Sequence, residues 1–394
     1  MFRRQTTICR EGWYYLAIVA LVFGGATLKE VNLLLILAGM LLGPLLLNWR
    51  AVRATLRGLD VRRTLPPRIS AGDFLAIDLS LTNTRRRWSS WAVVVEDRVQ
   101  QEPSNGSQKR LSPLKPRLLF SYVRPSQSRK LGYRGVLLER GRYRFGPLSL
   151  TTRFPFGLFS RTIQTGPTES VLVLPRLGRL THAWSARPFE AFAGRDLRRR
   201  RPGPEGDVYG VREWRSGDAA RLIHWRTSAR LGKLTVRQFE RQRSRDMAVL
   251  LDLWLPTYGG ATQEDNVELA VSFAATVLTD VCRLPGSNVY LALRNGQVEC
   301  HGGAASPTLL QALLEQLALV HGQAEEVLPE LFAAALRRIT AGTEIVIVGT
   351  RPTDLAELLH SPRLRGEPGL RDSTRRIRCI DTSSERLAEL FQAE

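Results

Sequence analysis

The sequence predicts a multidomain protein: an N-terminal transmembrane helical hairpin, an all-β sandwich-like domain, and a C-terminal doubly wound α/β domain. Three observations carry this. Two uncharged apolar runs lie nearly back to back at residues 12–28 and 31–49. From about residue 58 the hydrophobic period drops to two. From residue 246 onward, continuous apolar strands alternate with segments of helical period. At 394 residues the chain also exceeds what one hydrophobic core comfortably supports.

The apolar runs of 17 and 19 residues each reach the lower range for crossing a hydrocarbon core of about 30 Å at ~1.5 Å per residue. Only Lys29 and Glu30 separate them, so they form a tight hairpin. Trp13, Tyr14 and Tyr15 at one end and Trp49 at the other occupy belt positions, where one side of a ring is apolar and the other wet. Arg3, Arg4 and Arg10 precede the first run, and Arg50, Arg53, Arg57, Arg62 and Arg63 follow the second. The positive-inside rule then puts both ends in the cytoplasm, giving a multi-pass inner-membrane protein with cytoplasmic soluble domains. A cleaved signal peptide accounts for the first run alone; the second argues against it. The hairpin domain is residues 1–57.

Residues 58–180 read as the sandwich. In "FLAIDLSLTN", Leu75, Ile77, Leu79 and Leu81 alternate with Ala76, Asp78, Ser80 and Thr82, the pattern of a half-buried strand. "SWAVVVEDRV", "KLGYRGVLLERGRYRFGPLSLTT" and "ESVLVLPR" repeat it between turn-rich breaks. In residues 246–394, "MAVLLDLWL", "NVYLALR", "TEIVIVGT" and "RIRCIDT" read as strands. Helices are expected in "NVELAVSFAATVLTDVCRL", "PTLLQALLEQLALVH" and "LPELFAAALRRI", and from Asp354.

Composition narrows function more by exclusion than by assignment. The net charge is +20, and clustered cations attract polyanions, but 52 of the 57 basic residues are arginine. A GC-rich genome produces that skew unaided, so nucleic acid is not the expected partner. Cys9, Cys282, Cys300 and Cys379 lie far apart, as do the five histidines, so no local spacing builds a metal site or a disulfide framework. No cofactor is expected. Phosphate-loop, zinc-hydrolase and nucleophile-elbow motifs are missing, so the chain does not read as an enzyme.

The most unusual stretch is the connecting segment, residues 181–245. Its residues 195–245 hold 15 basic and six acidic side chains. Asp218 is placed to cap a helix with Leu222, Trp225 and Ala229 on one face and Arg221, Arg226 and Arg230 on another, ended by Gly232. Two readings compete. In one, Glu205, Glu213 and Asp218 neutralise the arginines in a structural lattice, with Trp214 and Trp225 as its dry wall. In the other, Arg212, Arg221, Arg226 and Arg230 form a binding surface for anions or a partner, through forks that hold carboxylate or phosphate bidentately.

The run "EGDVYGVREWRSGDAARLIHWRTSARLGKLTVRQFE" resembles the signature of the DUF58 family. The matching positions are Glu205, Arg212, Glu213, Trp214, Gly217, Asp218, Arg221, Trp225, Ala229, Arg230, Lys233 and Leu234. The "RGRYRFGP" and "PFGLF" segments fit the same pattern, so the resemblance spans nearly the whole chain. It implies a membrane hairpin, a β-rich domain and a von Willebrand factor A-like C-terminal domain. It also implies partnership with a MoxR-type AAA+ ATPase and other membrane proteins. The resulting expectation is a membrane-tethered interaction or assembly module. The alternatives are a basic nucleic-acid- or anion-binding membrane protein and an unrecognised hydrolase.

Asp252 ends the first α/β strand, where von Willebrand A domains carry Asp-x-Ser-x-Ser. Here the run is Asp252-Leu253-Trp254-Leu255-Pro256, which has lost both hydroxyls. Thr257 and Thr350 are the nearby substitutes. The site is expected to be degenerate and to bind no Mg²⁺ or Mn²⁺.

Overall fold

The computed structural model describes residues 4–29, 32–102, 113–186, 208–216, 218–239, 246–256, 260–340, 342–364 and 376–393. The chain forms two compact units, Met1–Leu174 and Pro175–Glu394.

In the first unit, strand β1 (Arg4–Ile8) leads into helix α1 (Arg10–Lys29), and helix α2 (Asn32–Thr55) follows. Both helices are long and apolar enough to cross a membrane. They pack through small side chains, Ala26 and Ala38, which let the backbones approach, and the Tyr15 hydroxyl donates to the Leu41 carbonyl at 2.9 Å. Strands β2 (Leu59–Thr64), β3 (Ile69–Ser70), β4 (Phe74–Asn83), β5 (Ser90–Glu96), β6 (Val99–Gln101) and β7 (Arg117–Val123) follow. After them come β8 (Ser128–Val136), β9 (Gly141–Phe145), β10 (Leu148–Thr152), β11 (Phe159–Thr165) and β12 (Glu169–Leu174).

Three sheets result, ordered β1-β11-β10-β5-β7, β3-β12-β9-β6 and β2-β4-β8. Their inward residues share one core: Leu75, Ile77, Leu79 and Leu81 of β4 meet Val93, Val95, Phe120, Phe145 and Leu150. The alternation read from the sequence is the alternation observed.

Strand β1 is the element that the sequence did not signal. "RQTTI" carries no apolar alternation, and it becomes a strand because the edge of β11 offers it a ladder, Arg4 opposite Ile163 through Ile8 opposite Phe159. The chain therefore enters α1 from this unit and leaves α2 straight into it. The free carbonyls at the α2 C-terminus are also satisfied there: the Arg85 guanidinium donates to Ala54 O at 2.6 Å and Thr55 O at 3.3 Å.

A buried ion pair joins the three sheets. Arg63 of β2 donates to Asp97 at 3.0 and 2.8 Å and to the Gly146 carbonyl at 2.7 Å, and it lies 3.4 Å from Glu169 of β12. The Tyr133 hydroxyl of β8 donates to Asp97 at 2.7 Å, as does the Arg98 amide. Burial, then the Asp97 charge, pushes the Tyr133 phenol up. The Arg63 and Asp97 side chains are 2% and 0% exposed, so water cannot replace either partner.

The second unit opens with β13 (Gly178–Leu180) and the short helix α3 (His182–Ala186). The connecting motif follows as β14 (Val208–Glu213), α4 (Trp225–Leu231) and β15 (Thr235–Phe239). The α/β part runs β16 (Met247–Asp252), α5 (Ala261–Cys282), β17 (Asn288–Asn295), β18 (Gln297–Ala304), α6 (Pro307–Leu319) and α7 (Leu328–Leu336). It ends with β19 (Glu344–Gly349), α8 (Leu355–His360), β20 (Ile377–Asp381), a helix α9 at Arg386–Leu390 and β21 (Phe391–Ala393).

The central sheet is ordered β18-β17-β16-β19-β20. Its strands are parallel except β18, an antiparallel edge hairpin with β17 that the apolar pattern did not reveal. Ala248 and Leu250 of β16 pack with Leu331, Phe332 and Ala335 of α7. The alternate residues Met247, Val249 and Leu251 are equally buried, and α5 lies against the same strand. Sheet order reverses between β16 and β19, and it is at the carboxyl ends beside such a reversal that open α/β sheets bind ligands. Strand β21 folds back on β13, Gly178 opposite Ala393.

The ion pair gives a measurable expectation. Asp97→Ala should destabilise the first unit by about 3–5 kcal/mol by leaving Arg63 buried and unpaired. The double replacement Arg63→Met with Asp97→Leu should lose far less. Denaturant unfolding of the two variants checks it; equal losses would remove the pair from the account.

Candidate functional site

The connecting motif folds around two small polar residues. Strands β14 and β15 pair antiparallel, Arg212 opposite Val236 and Glu213 opposite Thr235. The chain between them makes a 3-10 turn at Ala220–Leu222, touches β15 again where Ile223 bridges Val236, and forms α4. Ser228 on α4 is buried against Thr235: the Thr235 amide donates to its Oγ at 2.9 Å, and the two hydroxyls lie 3.0 Å apart. Gly232 ends α4 at φ 66°, the left-handed position expected for it.

Asp218 does not cap this helix. It takes both forks of Arg212, at 2.8 and 2.6 Å, and accepts the Arg215 amide at 2.8 Å. The hydrogen bond from Arg212, then that amide, holds its carboxyl below the usual range, and the same bond raises the Arg212 guanidinium. His224 caps α4 instead, its Nδ1 accepting from the Thr227 amide at 3.2 Å. The physical reason is where the helix begins: a 3-10 turn takes Ala220–Leu222 and α4 starts only at Trp225, so Asp218 is not at its N-cap and is taken by the charged Arg212 fork instead.

Of the lattice expected from sequence, Arg212–Asp218 is the part that forms tightly, at 35% and 18% side-chain exposure. Lys233 reaches Glu213 at 3.2 Å in open solvent, where such pairs contribute little. Arg221, Arg226 and Arg230 are exposed and make no ion pair with other described residues. Trp225, read as a dry wall, is 67% exposed, and Trp214 is 39% exposed. Leu231 and Leu234 are open as well. Glu205 and Gly217 lie outside the described residues. The motif thus combines a pinned base, Arg212–Asp218 and Ser228–Thr235, with an outward array of three arginines and Trp225.

The carboxyl end of β16 holds the second candidate. Asp252 is 1% exposed, and neither carboxylate oxygen has a hydrogen-bond partner among the described residues. Arg351 Nε stands 4.0 Å away, with its guanidinium over the Trp254 ring. The Thr350 hydroxyl donates to the Trp254 carbonyl at 2.6 Å, and the Asn266 amide nitrogen to Thr350 O at 3.0 Å, while Asn266 Oδ1 is itself buried with no partner among the described residues. Arg351 and Asn266 escaped the sequence reading; the reversal of strand order places Arg351, two residues past β19, beside Asp252. The donor set does not fit the octahedral ion of an adhesion-type site. Asp252 offers the carboxylate, Leu253 to Pro256 offer no side-chain oxygen, and the Thr350 hydroxyl is directed to a carbonyl. Thr257 lies outside the described residues.

Burial pushes the Asp252 carboxyl up to about 6, Arg351 opposing and Glu326 adding to the shift. Because the folded value exceeds the unfolded one, the neutral acid's contribution is complete below pH ~4 and is lost as pH rises through about 6. Asp252→Asn should therefore gain stability over the parent at pH 8, by about 3 kcal/mol at most, and gain nothing near pH 4. Calorimetric melting across that window checks it; a variant less stable than the parent at pH 8 would show that the charge is satisfied.

Residues 210–346 match the family model described as "Protein of unknown function DUF58". The chain is 23% identical over 331 residues to the uncharacterized protein YeaD of Bacillus subtilis (strain 168), covering 83% of this chain and 76% of that protein. Among solved structures, a β-glucosidase from Listeria innocua aligns with 29% of this chain and 16% of its own at 14% identity and TM-score 0.20. The CARDB domain of the Pyrococcus furiosus PF1109 protein aligns at 12% identity and TM-score 0.18, over 29% of this chain and 91% of its own. The C-terminal domain of wzt does so at 10% and 0.21, over 29% and 73%. The chain spans only about a sixth of the Listeria enzyme. The match over residues 210–346 and the Bacillus relative together support the DUF58 family for this chain.

Proposed function

We propose that this protein is a membrane-tethered interaction and assembly module that works with a MoxR-type AAA+ ATPase, its soluble units on the cytoplasmic side of the inner membrane. The observation that carries the reading is the outward array of Arg221, Trp225, Arg226 and Arg230 on its pinned base. Tryptophan and arginine dominate binding energy where partners meet, because tryptophan covers much area with few rotatable bonds and arginine supplies planar, bidentate recognition of carboxylates. A base that is rigid before binding lowers the ordering penalty further. The partner surface this array fits is acidic with an apolar pocket.

The hairpin supports the tether. Strands β1 and β2 bracket the helix pair and both belong to the first unit, so its two ends emerge on one side. The arginines that flank the helices favour the cytoplasm. Sheet order in the second unit, with its reversal at Asp252, supports a von Willebrand A-like reading, and the poor donor set there favours partner contact without a metal ion.

Two expectations follow from this reading. Trp225→Ala combined with Arg226→Glu in the full chain should abolish co-purification of the ATPase from solubilised membranes while leaving the melting temperature within a degree or so of the parent's. Chelator should not release the partner. Retention of the ATPase by that variant would remove the array from the interface. Separately, a reporter fused after Glu394 should be active only if it works in the cytoplasm; periplasmic activity would overturn the tether's orientation.

A further inference from the structure

We infer that the first unit carries its own membrane-contact edge: the turn at residues 153–158 lies at headgroup depth with Phe156 inserted, and beside it residues 85–91 hold anionic phospholipid headgroups. The inference rests on reading α1 and α2 as membrane-crossing, and it concerns a different part of the chain from the partner array.

Depth is the first argument. Leu158 is buried in a cluster with Val19 of α1 and Leu45 of α2, flanked by Tyr15, Leu16, Leu41 and Phe159. The backbone fixes its level: the Cys9 amide donates to Leu158 O at 2.9 Å, the Phe159 amide to Asn48 Oδ1 at 2.8 Å, and Gly12 packs so closely on the Leu158 carbonyl that a Cβ would stand 2.3 Å from it, so the turn meets α1 at its first turn, where the uncharged run begins. This turn therefore sits alongside the uncharged runs. Phe156 at its tip is 52% exposed, and at this depth what surrounds it is the headgroup and acyl boundary.

Composition along the same edge is the second argument. Trp91 stacks on Phe154 at 5.9 Å and meets Tyr122 at 4.4 Å, which ties residues 85–91 to the turn. Arg85 holds the end of α2. Arg86, Arg87 and Trp88 follow it, all exposed, and Arg153 is exposed at the start of the turn. Amphipathic rings beside arginines at the root of a membrane helix are the chemistry of an interface. Exposed arginines there attract anionic headgroups within a Debye length. Strand β11 runs from this edge, Phe159, to a remote turn at Thr168, which supplies an internal control.

The test uses the full chain in nanodiscs of phosphatidylcholine with or without phosphatidylglycerol. Native cysteines are replaced, and an environment-sensitive fluorophore is placed on Phe156→Cys, Thr168→Cys or Ile36→Cys. Lipids with a nitroxide near the headgroup should quench position 156 several-fold more than position 168, and a deep nitroxide should quench position 36. Quenching at 36 with none at 156 overturns this inference and leaves the tether intact; no quenching at 36 overturns the tether. Unlabelled protein gives an independent reading by hydrogen exchange, where residues 85–91 and 153–158 should slow in phosphatidylglycerol discs relative to residues 165–168. Arg86→Gln, Arg87→Gln and Arg153→Gln together should erase that slowing, and its persistence would overturn the headgroup contact.

Discussion

The first unit depends on one buried interaction. Arg63 stands on β2 and Asp97 in the connection from β5 to β6, and the carbonyl of Gly146, between β9 and β10, and the phenol of Tyr133 on β8 complete their hydrogen bonds. An unpaired charge in that position costs several kcal/mol, so the sheets have one mutual arrangement in which every group is satisfied. Apolar burial by Ile77, Leu79, Phe120 and Phe145 drives the collapse and excludes one-residue slips, which would turn each apolar face to water. The ion pair adds a penalty to slips of two residues, which keep the same face inward.

Register then governs the two apolar helices. Once β11 is fixed, its free edge recruits β1, and the start of α1 is set against Leu158. The end of α2 is set by Arg85 and by Ser90, whose hydroxyl donates to Thr55 O at 3.1 Å. A helix pair anchored at both roots cannot pivot freely, so its direction relative to the sheets of this unit follows from packing within the unit. The same logic of a fixed base and an open face recurs in the connecting motif, where Arg212–Asp218 and Ser228–Thr235 immobilise a short helix whose remaining side chains face water.

Legibility in the sequence tracked the range of the interaction involved. Alternation in β4, the apolar run of β16, and the helix starting at Asp354 were readable because a period or a helix start is a property of neighbours. Asp218 was misread for the same reason. Its local surroundings specify a cap, while its partner Arg212 sits six residues away on a strand whose position depends on β15. Trp225 was assigned to a dry wall because large aromatics favour burial on average, yet only packing decides which ring stays outside. Arg351 was invisible as the neighbour of Asp252, being 99 residues away in the chain.

The sequence by itself determined the two apolar helices, the change from period two to alternating strands and helices, and the presence of a dense arginine motif. Each is a one-dimensional pattern that water and lipid read directly through side-chain polarity. Tertiary structure alone decided that Arg212 takes Asp218, that Asp252 is buried without a hydrogen-bond donor among the described residues, and that a polar segment, Arg4–Ile8, becomes a strand. Those outcomes depend on the distance between groups remote in sequence and on the water excluded between them, and both come into existence only when the sheets close.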